Sequence, residues 1–559
     1  MCGFLAYLAA TGKKLDKIIL QKSLQTIQHR GPDNTKEILL RRNASLYFGF
    51  HRLAINGLGS ESDEPIKFHD ETNNRDIWLI CNGEIYNHLK LEEKYGFPMN
   101  TKNDCEVIIH LFLKFGFFKA IQMLDGVYSI VLYDSHTDRI YVANDPIGIR
   151  PLYYGRVKAS GASGASGASG ASGEDWVFAS EPVALKDICQ KISFFPPGCV
   201  QEINAKTLIA SKIKRHYYYD WLVVDRPLEQ VYAEYRRLLT QAVNKRLMGE
   251  RPLACLLSGG LDSSLISALV ASMMPEGSKL HTFSIGLDGS PDVKYAQIVA
   301  DHIGSIHHQV IVTENDFLKA IPEVIQGIQS YDVTTVRASC GNYLLAKYIK
   351  ENTNFKIIFN GDVSEEIHGS YFYSHYAPSD HAFLTDNIRL LKEVHKYDVL
   401  RSARSVEHFG LEARTPFADK NLVNFVMSIP PKYKRFGLDD IFAMEKMLLR
   451  NAFVGTGLLP MEILMRPKTA FSDGVSKKER SWHNIISEYI DLVVLNDEFN
   501  TCSWTDPIPY SKEAYFYRKI YQDFMGNRPD IIALIGEYWM PRFIQANDPS
   551  AREIAKNVS

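Results

Sequence analysis

The chain has 559 residues, 45% hydrophobic and 23% charged, with a formal net charge of −2. That length suggests two or more domains, and the composition is that of an ordinary soluble protein. The balanced charge supplies no basic surface for nucleic acid or an anionic membrane, and no apolar run reaches the roughly 18–20 residues that span a bilayer.

In chain order, the N-terminal stretch MCGFLAYLAATGKKL is briefly apolar but lacks the basic region that precedes a secretory signal core. The first 205 residues then carry short strand-like runs: SLYFGFHRLAI (45–55), DIWLICNG (76–83), YSIVLYD (128–134) and RIYVAND (139–145). They predict antiparallel β structure. Five ASG triplets fill residues 159–173 between the strand-like pieces PLYYG and WVFASE. A small, uncharged repeat cannot bury a core, so it reads as a flexible loop extending a hairpin, with no chemistry of its own. The pattern changes near 205–225. A helical segment (231–247) precedes the apolar strand LACLL (253–257), and LISALVASMM, LHTFSIGL, VKYAQIVADHIG and HHQVIVT then alternate helix with strand. That alternation predicts a parallel sheet flanked by helices. Beyond about residue 370 the pattern is mainly helical. The expected architecture has a domain over 2–205 and another over 215–559.

The chemistry begins at Cys2. A small residue there permits removal of Met1, which would leave a thiol beside a free α-amine. With a pKa near ~8 that amine can act as base to its own nucleophile. Arg52 suits a substrate α-carboxylate, a carboxylate such as Glu84 or Asp104 suits an α-ammonium, and a side-chain amide with a backbone N–H at Asn82-Gly83 suits an oxyanion. Each has an ordinary alternative: a surface ion pair for Arg52 and Asp104, a type I′ turn for Asn-Gly. Together MCGFLAYL, HRGPD (29–33), HRLAI, NGEIYNH, NDCEVI and DPIGIRPLYYG resemble the glutaminase domain of glutamine-dependent asparagine synthetases. The resemblance implies an Ntn-type αββα sandwich. It also implies Cys2 as nucleophile and base, Arg52, Leu53, Ile55, Glu84 and Asp104 around glutamine, and Asn82 with Gly83 at the oxyanion. Asn144 departs from the family, which carries Arg before Asp145.

Further on, LACLLSGGLDSSL (253–265) runs a strand into Ser258-Gly259-Gly260 with a helix expected near Asp262. Glycines admit phosphates to the backbone, and a helix N-terminus supplies N–H donors; the spacing is not that of a Walker A loop. The stretch IIFNGDVSEEIHGS (357–370) ends an apolar run at Asn360-Gly361 and then shows Asp362, Glu365 and Glu366. Alone it reads as either a metal-binding loop or the charged first turn of a helix. SGGLDSS resembles the pyrophosphate loop of ATP pyrophosphatases, an α/β fold of the adenine nucleotide α-hydrolase type. HTFSIGLDGSPD, YDVTTVRAS, GLEARTPFADK, MEKMLLR and FSDGVS continue the likeness to asparagine synthetases. The resemblance implies ATP contacts at Leu257, Ser258, Gly259, Gly260, Asp262, Ser263, Ser264, Ile285, Asn360 and Gly361. It further implies magnesium on Asp262 and Glu365, Lys468 on phosphate charge, and Asp362 as proton acceptor. NGDVSEE stands where the family reads close to SGEGSDE, and Arg401-Ser402-Ala403-Arg404 where it reads roughly R-A-[DN]-K.

The implied reaction is an ATP-dependent amide ligation: glutamine gives ammonia, aspartate is activated as β-aspartyl-AMP, and asparagine forms. Glutamine, aspartate and ATP are the expected partners, without nucleic acid or membrane; a homodimer is compatible with the sequence. Two alternatives stay open here, a different carboxylate acceptor, and a glutaminase or scaffold with a silent second half. Eight scattered cysteines without a C-x-x-C pair fit a reducing, cytoplasmic setting.

Overall fold

Strands buried almost throughout, such as those over Gly3–Ala9, Ser45–Arg52 and Gly126–Asp134, make the N-terminal half a layered sandwich, seen in a computed structural model that describes residues 1–9, 15–41, 45–157, 174–437, 443–477 and 480–549. The ASG repeat lies outside the described residues. The chain divides into two compact units: Met1–Tyr218 with Met525–Leu534, and Tyr219–Phe524 with the residues from Ile535 on.

The first unit contains strands β1 (Gly3–Ala9), β2 (Asn34–Arg41), β3 (Ser45–Arg52), β4 (Ile66–Asp70), β5 (Arg75–Ile85), β6 (Gly126–Asp134), β7 (Arg139–Asn144), β8 (Tyr153–Val157), β9 (Asp175–Ala179), β10 (Lys191–Phe194), β11 (Cys199–Asn204) and β12 (Lys214–Arg215). They form two six-stranded sheets, β10-β8-β9-β1-β3-β2 and β12-β11-β7-β6-β5-β4. Strands β8 and β9 pair antiparallel, the hairpin expected on either side of the repeat. Successive side chains of a strand point to opposite faces. Thus Ile80 on β5 packs with Phe4, Phe48 and Phe178 between the sheets, while Leu79 and Cys81 pack outward with residues of the helices Val107–Phe115 and Phe117–Met123. The helix Lys17–Gln25 covers the first sheet, with Leu24 buried. The order is therefore helix, sheet, sheet, helix.

The second unit is built on β13 (Leu253–Leu256), β14 (His281–Leu287), β15 (Ile306–Val312), β16 (Ile357–Phe359) and β17 (Glu412–Arg414). They form one sheet in the order β15-β14-β13-β16-β17 with every pair parallel. From β13 the chain goes first to one side and later to the other. The crevice beyond the carboxyl ends of β13 and β16 is thus the switch point, where open α/β sheets bind ligands. Cys255 lies opposite Phe359, so the loops after these strands start side by side. Among the described residues no helix is long and apolar enough to cross a membrane.

Candidate active site

In the first unit Cys2 sits just before β1. Its Sγ accepts from the Leu53 N–H at 3.4 Å and can donate to the Leu53 carbonyl at 3.7 Å. Burial pushes the thiol up to about 12, against the pull of the nearby N-terminal charge. Arg30 of the HRGPD motif is fully buried; its Nε donates to the Cys2 carbonyl at 3.0 Å and its Nη1 to Glu181 at 2.7 Å. That anchor fixes the backbone at Cys2.

Asn82 and Gly83 lie inside β5, paired with Ser129 and Tyr128 of β6. The type I′ turn is thereby excluded. Asn82 is fully buried, and neither its Nδ2 nor its Oδ1 has a hydrogen-bond partner among the described residues. Burying an amide unpaired is costly, which makes the position suited to a ligand that completes it. Glu84 and Asp104 are both buried and share a partner that sequence reasoning did not single out: Asn56 Nδ2 donates to Glu84 at 2.7 Å and to Asp104 at 3.2 Å. Asp104 also accepts from the Ile85 N–H at 2.6 Å, and burial raises its carboxyl.

Arg52 is buried, not a surface residue. Its Nη1 donates to Asp63 at 2.7 Å and to the Gly59 carbonyl at 3.0 Å, and its Nη2 to the carbonyls of Asn56, at 3.0 Å, and Gly57. The pairing is therefore with the 56–63 loop. Leu53 and Ile55 are buried beside it. Glu64 is also buried, and desolvation raises its carboxyl to about 8. Asn144 is buried with its Oδ1 unpartnered among the described residues; the neighbouring Asp145 accepts from the N–H groups of Gly148 and Arg150 at 2.7 and 2.9 Å.

In the second unit β13 is followed by buried Leu257, then by Ser258-Gly259-Gly260 and the helix Leu261–Ser272. Gly259 has φ +71°, and a Cβ there would come 2.5 Å from the backbone nitrogen of Ala296. Only glycine lets the loop pass this close to the neighbouring helix. Ser258 and Ser263 hydroxyls lie 3.1 Å apart, closing the loop on the helix start. Ser264 and Ile285 are buried. Arg466, with its guanidinium 4.0 Å from the Tyr295 ring centroid, donates to Asp292 at 2.7 Å and to the Ser258 carbonyl at 3.5 Å.

Across the crevice, Asn360 and Gly361 follow β16. A Cβ on Gly361 would meet Asp262 Cβ at 2.8 Å, so the two loops nearly touch. Val363 has φ +74°, the left-handed region where a β-branched residue is strained. The short helix Ser364–His368 follows, with Glu365 and Glu366 in its first turn. The acids serve more than the helix start. Asp262 accepts from Ser364 Oγ at 2.7 Å and from Lys446 Nζ at 2.5 Å. Glu365 accepts from the same Lys446 Nζ at 2.7 Å, from Lys468 Nζ at 2.5 Å, and from Ser370. Burial would raise the Glu365 carboxyl, but the two lysines outweigh it and hold it well below the ordinary range. Asp262, Glu365 and Lys468 are thus brought together, and Lys446 joins them.

Asp362 faces another way. It accepts from Arg401 Nη2 at 3.1 Å, and Arg401 also meets Asp398 at 3.2 Å. Burial raises the Asp362 carboxyl, with Arg401 opposing. Tyr371 Oη lies 2.7 Å from both Glu366 and Asp398. Burial, then the Asp398 charge, keeps Glu366 well above the usual carboxylate range. This polar group lines the same acidic loop.

An αββα unit with a cysteine at its first strand, followed by a parallel sheet with a glycine loop at its switch point, is the architecture of a two-domain glutamine amidotransferase. The glutamine amidotransferase domain family model matches residues 1–218, and the asparagine synthase family model matches 234–386 and 378–537. The chain belongs to the glutamine-hydrolysing asparagine synthetase family. It is 38% identical over 560 residues to an asparagine synthetase [glutamine-hydrolyzing] of Gallus gallus and 36% identical over 556 residues to that of Homo sapiens, covering 95% of each chain. A probable asparagine synthetase [glutamine-hydrolyzing] of Acanthamoeba polyphaga mimivirus is 36% identical, with 99% of both chains covered.

Proposed function

We infer that the chain makes asparagine from aspartate, with glutamine as nitrogen donor and ATP as activator. The observation that carries this reading is likeness along 95% of the chain, through both units, to enzymes named for that reaction. A different acceptor, or a silent second half, is not favoured by it.

In the first half-reaction, Cys2 with Met1 removed attacks the carbonyl carbon of the glutamine side-chain amide. The α-amine takes the thiol proton and returns it to the departing nitrogen. That proton transfer answers the burial that holds the thiol high. Asn82 Nδ2, buried and unpartnered among the described residues, and the Gly83 N–H are the donors proposed for the oxyanion. Water then cleaves the thioester to glutamate. Arg52 is proposed for the substrate carboxylate, which would exchange with Asp63; Glu84 and Asp104, already gathered by Asn56, are proposed for its ammonium. Leu53 and Ile55 wall the site.

In the second, the aspartate β-carboxylate attacks the α-phosphorus of ATP and pyrophosphate leaves. Leu257, Ser258, Gly259, Gly260, Ser263 and Ser264 would cradle the nucleotide, with Ile285 at the adenine and Asn360 and Gly361 opposite. Two carboxylates with phosphate oxygens suit magnesium. Asp262 and Glu365, now joined through one ammonium, have that donor chemistry and would hold the ion, which neutralises phosphate charge when bound. Lys468 adds charge on the same side. Ammonia then attacks the acyl carbon, AMP leaves, and Asp362 takes the proton from nitrogen. Eight free cysteines fit a cytoplasmic setting, and a homodimer is kept as a proposal for sedimentation to test.

Mass spectrometry of products from ATP, glutamine and aspartate tests the reading: asparagine, glutamate, AMP and pyrophosphate are expected. Cys2→Ala should abolish use of glutamine yet preserve synthesis from added ammonia. Loss of both activities in a folded Cys2→Ala protein would sink the two-site scheme.

A further inference from the structure

The cation that now joins Asp262 to Glu365 belongs to the protein itself. Lys446 Nζ lies 2.5 Å from one carboxylate and 2.7 Å from the other, and its side chain is 3% exposed. The carboxylates, in contrast, are 20% and 24% exposed and present a face to solvent. Residues 81 and 184 positions away are thereby drawn to one amine. The backbone delivering that amine is unusual: Lys446 has φ +58° and precedes the helix Met447–Phe453. A non-glycine residue in this region costs free energy and persists only where its surroundings hold it there. Lys468 grips the second oxygen of Glu365 at 2.5 Å. Two ammonium groups therefore balance two carboxylates.

A divalent ion approaching such a set alone meets near-neutral charge and two ammonium groups that repel it. When a polyphosphate arrives with the ion, the balance reverses. The phosphates attract Lys446 and Lys468, and the carboxylates are released to bind metal. We propose that Lys446 is an internal counter-ion that closes the Asp262–Glu365 pair in the empty enzyme and makes its metal binding conditional on nucleotide. This rests on the reading that Asp262 and Glu365 hold magnesium. Lys446 is here a positioning residue, acting through the two carboxylates.

The test uses Mn2+ as a magnesium probe, followed by electron paramagnetic resonance on the full chain. With Mn2+ alone, the parent protein should show no site at these carboxylates, and Lys446→Met should gain one, bound roughly tenfold or more tightly than by the parent. Lys446→Gln, which keeps more of the polarity, should gain the same site if Met disturbs packing. Adding Glu365→Gln to either variant should remove it. If the parent binds Mn2+ without nucleotide as tightly as both variants, the proposal is overturned. A parallel titration with an α,β-methylene ATP analogue separates it from its premise. Unchanged Mn2+ binding in Glu365→Gln with the analogue would overturn the magnesium reading itself. Weakened binding there, with no gain in the Lys446 variants, would overturn only the role of Lys446.

Discussion

At the scale of single residues, unpaired and over-paired groups mark the chemistry more sharply than residue type does. Asn82 buries both ends of its amide without a partner among the described residues. The folded protein therefore bears the desolvation cost of that amide without a compensating bond, a cost of about 1–3 kcal/mol. Replacing it with Ala removes this penalty along with some packing. Asn82→Ala should hold stability within about 1 kcal/mol of the parent in urea unfolding, since the two effects oppose. Glutamate release from glutamine should fall by roughly 10²–10³-fold, the usual loss for one oxyanion donor, with ammonia-dependent synthesis retained. Glutaminase turnover within a few-fold of the parent would remove Asn82 from the oxyanion role. Arg52 illustrates the opposite case, because its four Nη contacts already go to the 56–63 loop. A carboxylate bound at Arg52, as proposed for glutamine, would have to exchange with these partners.

At the scale of elements, Asp419 ties two helices through one carboxylate. Its Oδ1 caps the helix Lys420–Met427 by accepting from Asn421 and Leu422, and its Oδ2 receives Arg246 at 2.8 Å and Lys245. Burial would raise this carboxyl, but Arg246 and Lys245 outweigh it and depress it to about 2. A depressed carboxylate stabilises above its unfolded pKa and loses that contribution as pH falls through its folded value. Asp419→Asn keeps the cap but removes the charge, so it should cost about 2–4 kcal/mol at neutral pH. The gap to the parent in urea unfolding should narrow as pH falls from about 4 towards 2; a constant gap would assign the loss to packing. Elements were largely legible from sequence because their signals are local. Short strand-like runs in 45–55 and 128–134 mark β3 and β6, and the strand-helix rhythm after residue 253 marks the parallel sheet. The partners at the site were less so. MEKMLLR gives no local sign that Lys446 is buried, because a lysine at a helix start ordinarily reads as solvated. Its carboxylates come from the first turns of helices 81 and 184 residues away. Asn56 escaped for the same reason, since its partners Glu84 and Asp104 lie 28 and 48 residues on; Arg401 was marked by its departure from the family, but its pairing with Asp362, 39 residues away, was not. Val363 was flagged by its departure from glycine, and the left-handed φ there supplies the physical reason that glycine is favoured.

At the scale of the whole molecule, the order of residues and the order of packing differ at the C-terminal end. Residues 525–534 pack with the first unit although in sequence they interrupt the second. Arg528 donates to the carbonyls of Lys186 and Cys189 at 2.8 and 2.6 Å, and Asp530 accepts from the Ile192 N–H of β10 at 2.8 Å. Strand β10 is the edge of its sheet, where unpaired backbone groups otherwise face solvent or a stray strand. No motif in NRPDII announces this role, since a helix of four residues, Pro529–Ile532, has too little periodicity to assign a face. The physical consequence is that the glutaminase unit draws part of its stability from residues more than three hundred positions beyond its own strands. Arg528→Ala leaves two carbonyls without this donor and frees Asp530 to move, a loss of about 1–3 kcal/mol. Glutaminase activity should therefore be lost at a lower temperature in Arg528→Ala than in the parent, while the initial rate at low temperature stays the same, because no group at Cys2 has changed. Arg528→Lys, which can reach one carbonyl but not both in the same geometry, should fall between the two. Superimposable heat-inactivation curves for parent and Arg528→Ala would mean that the segment covers β10 without stabilising it.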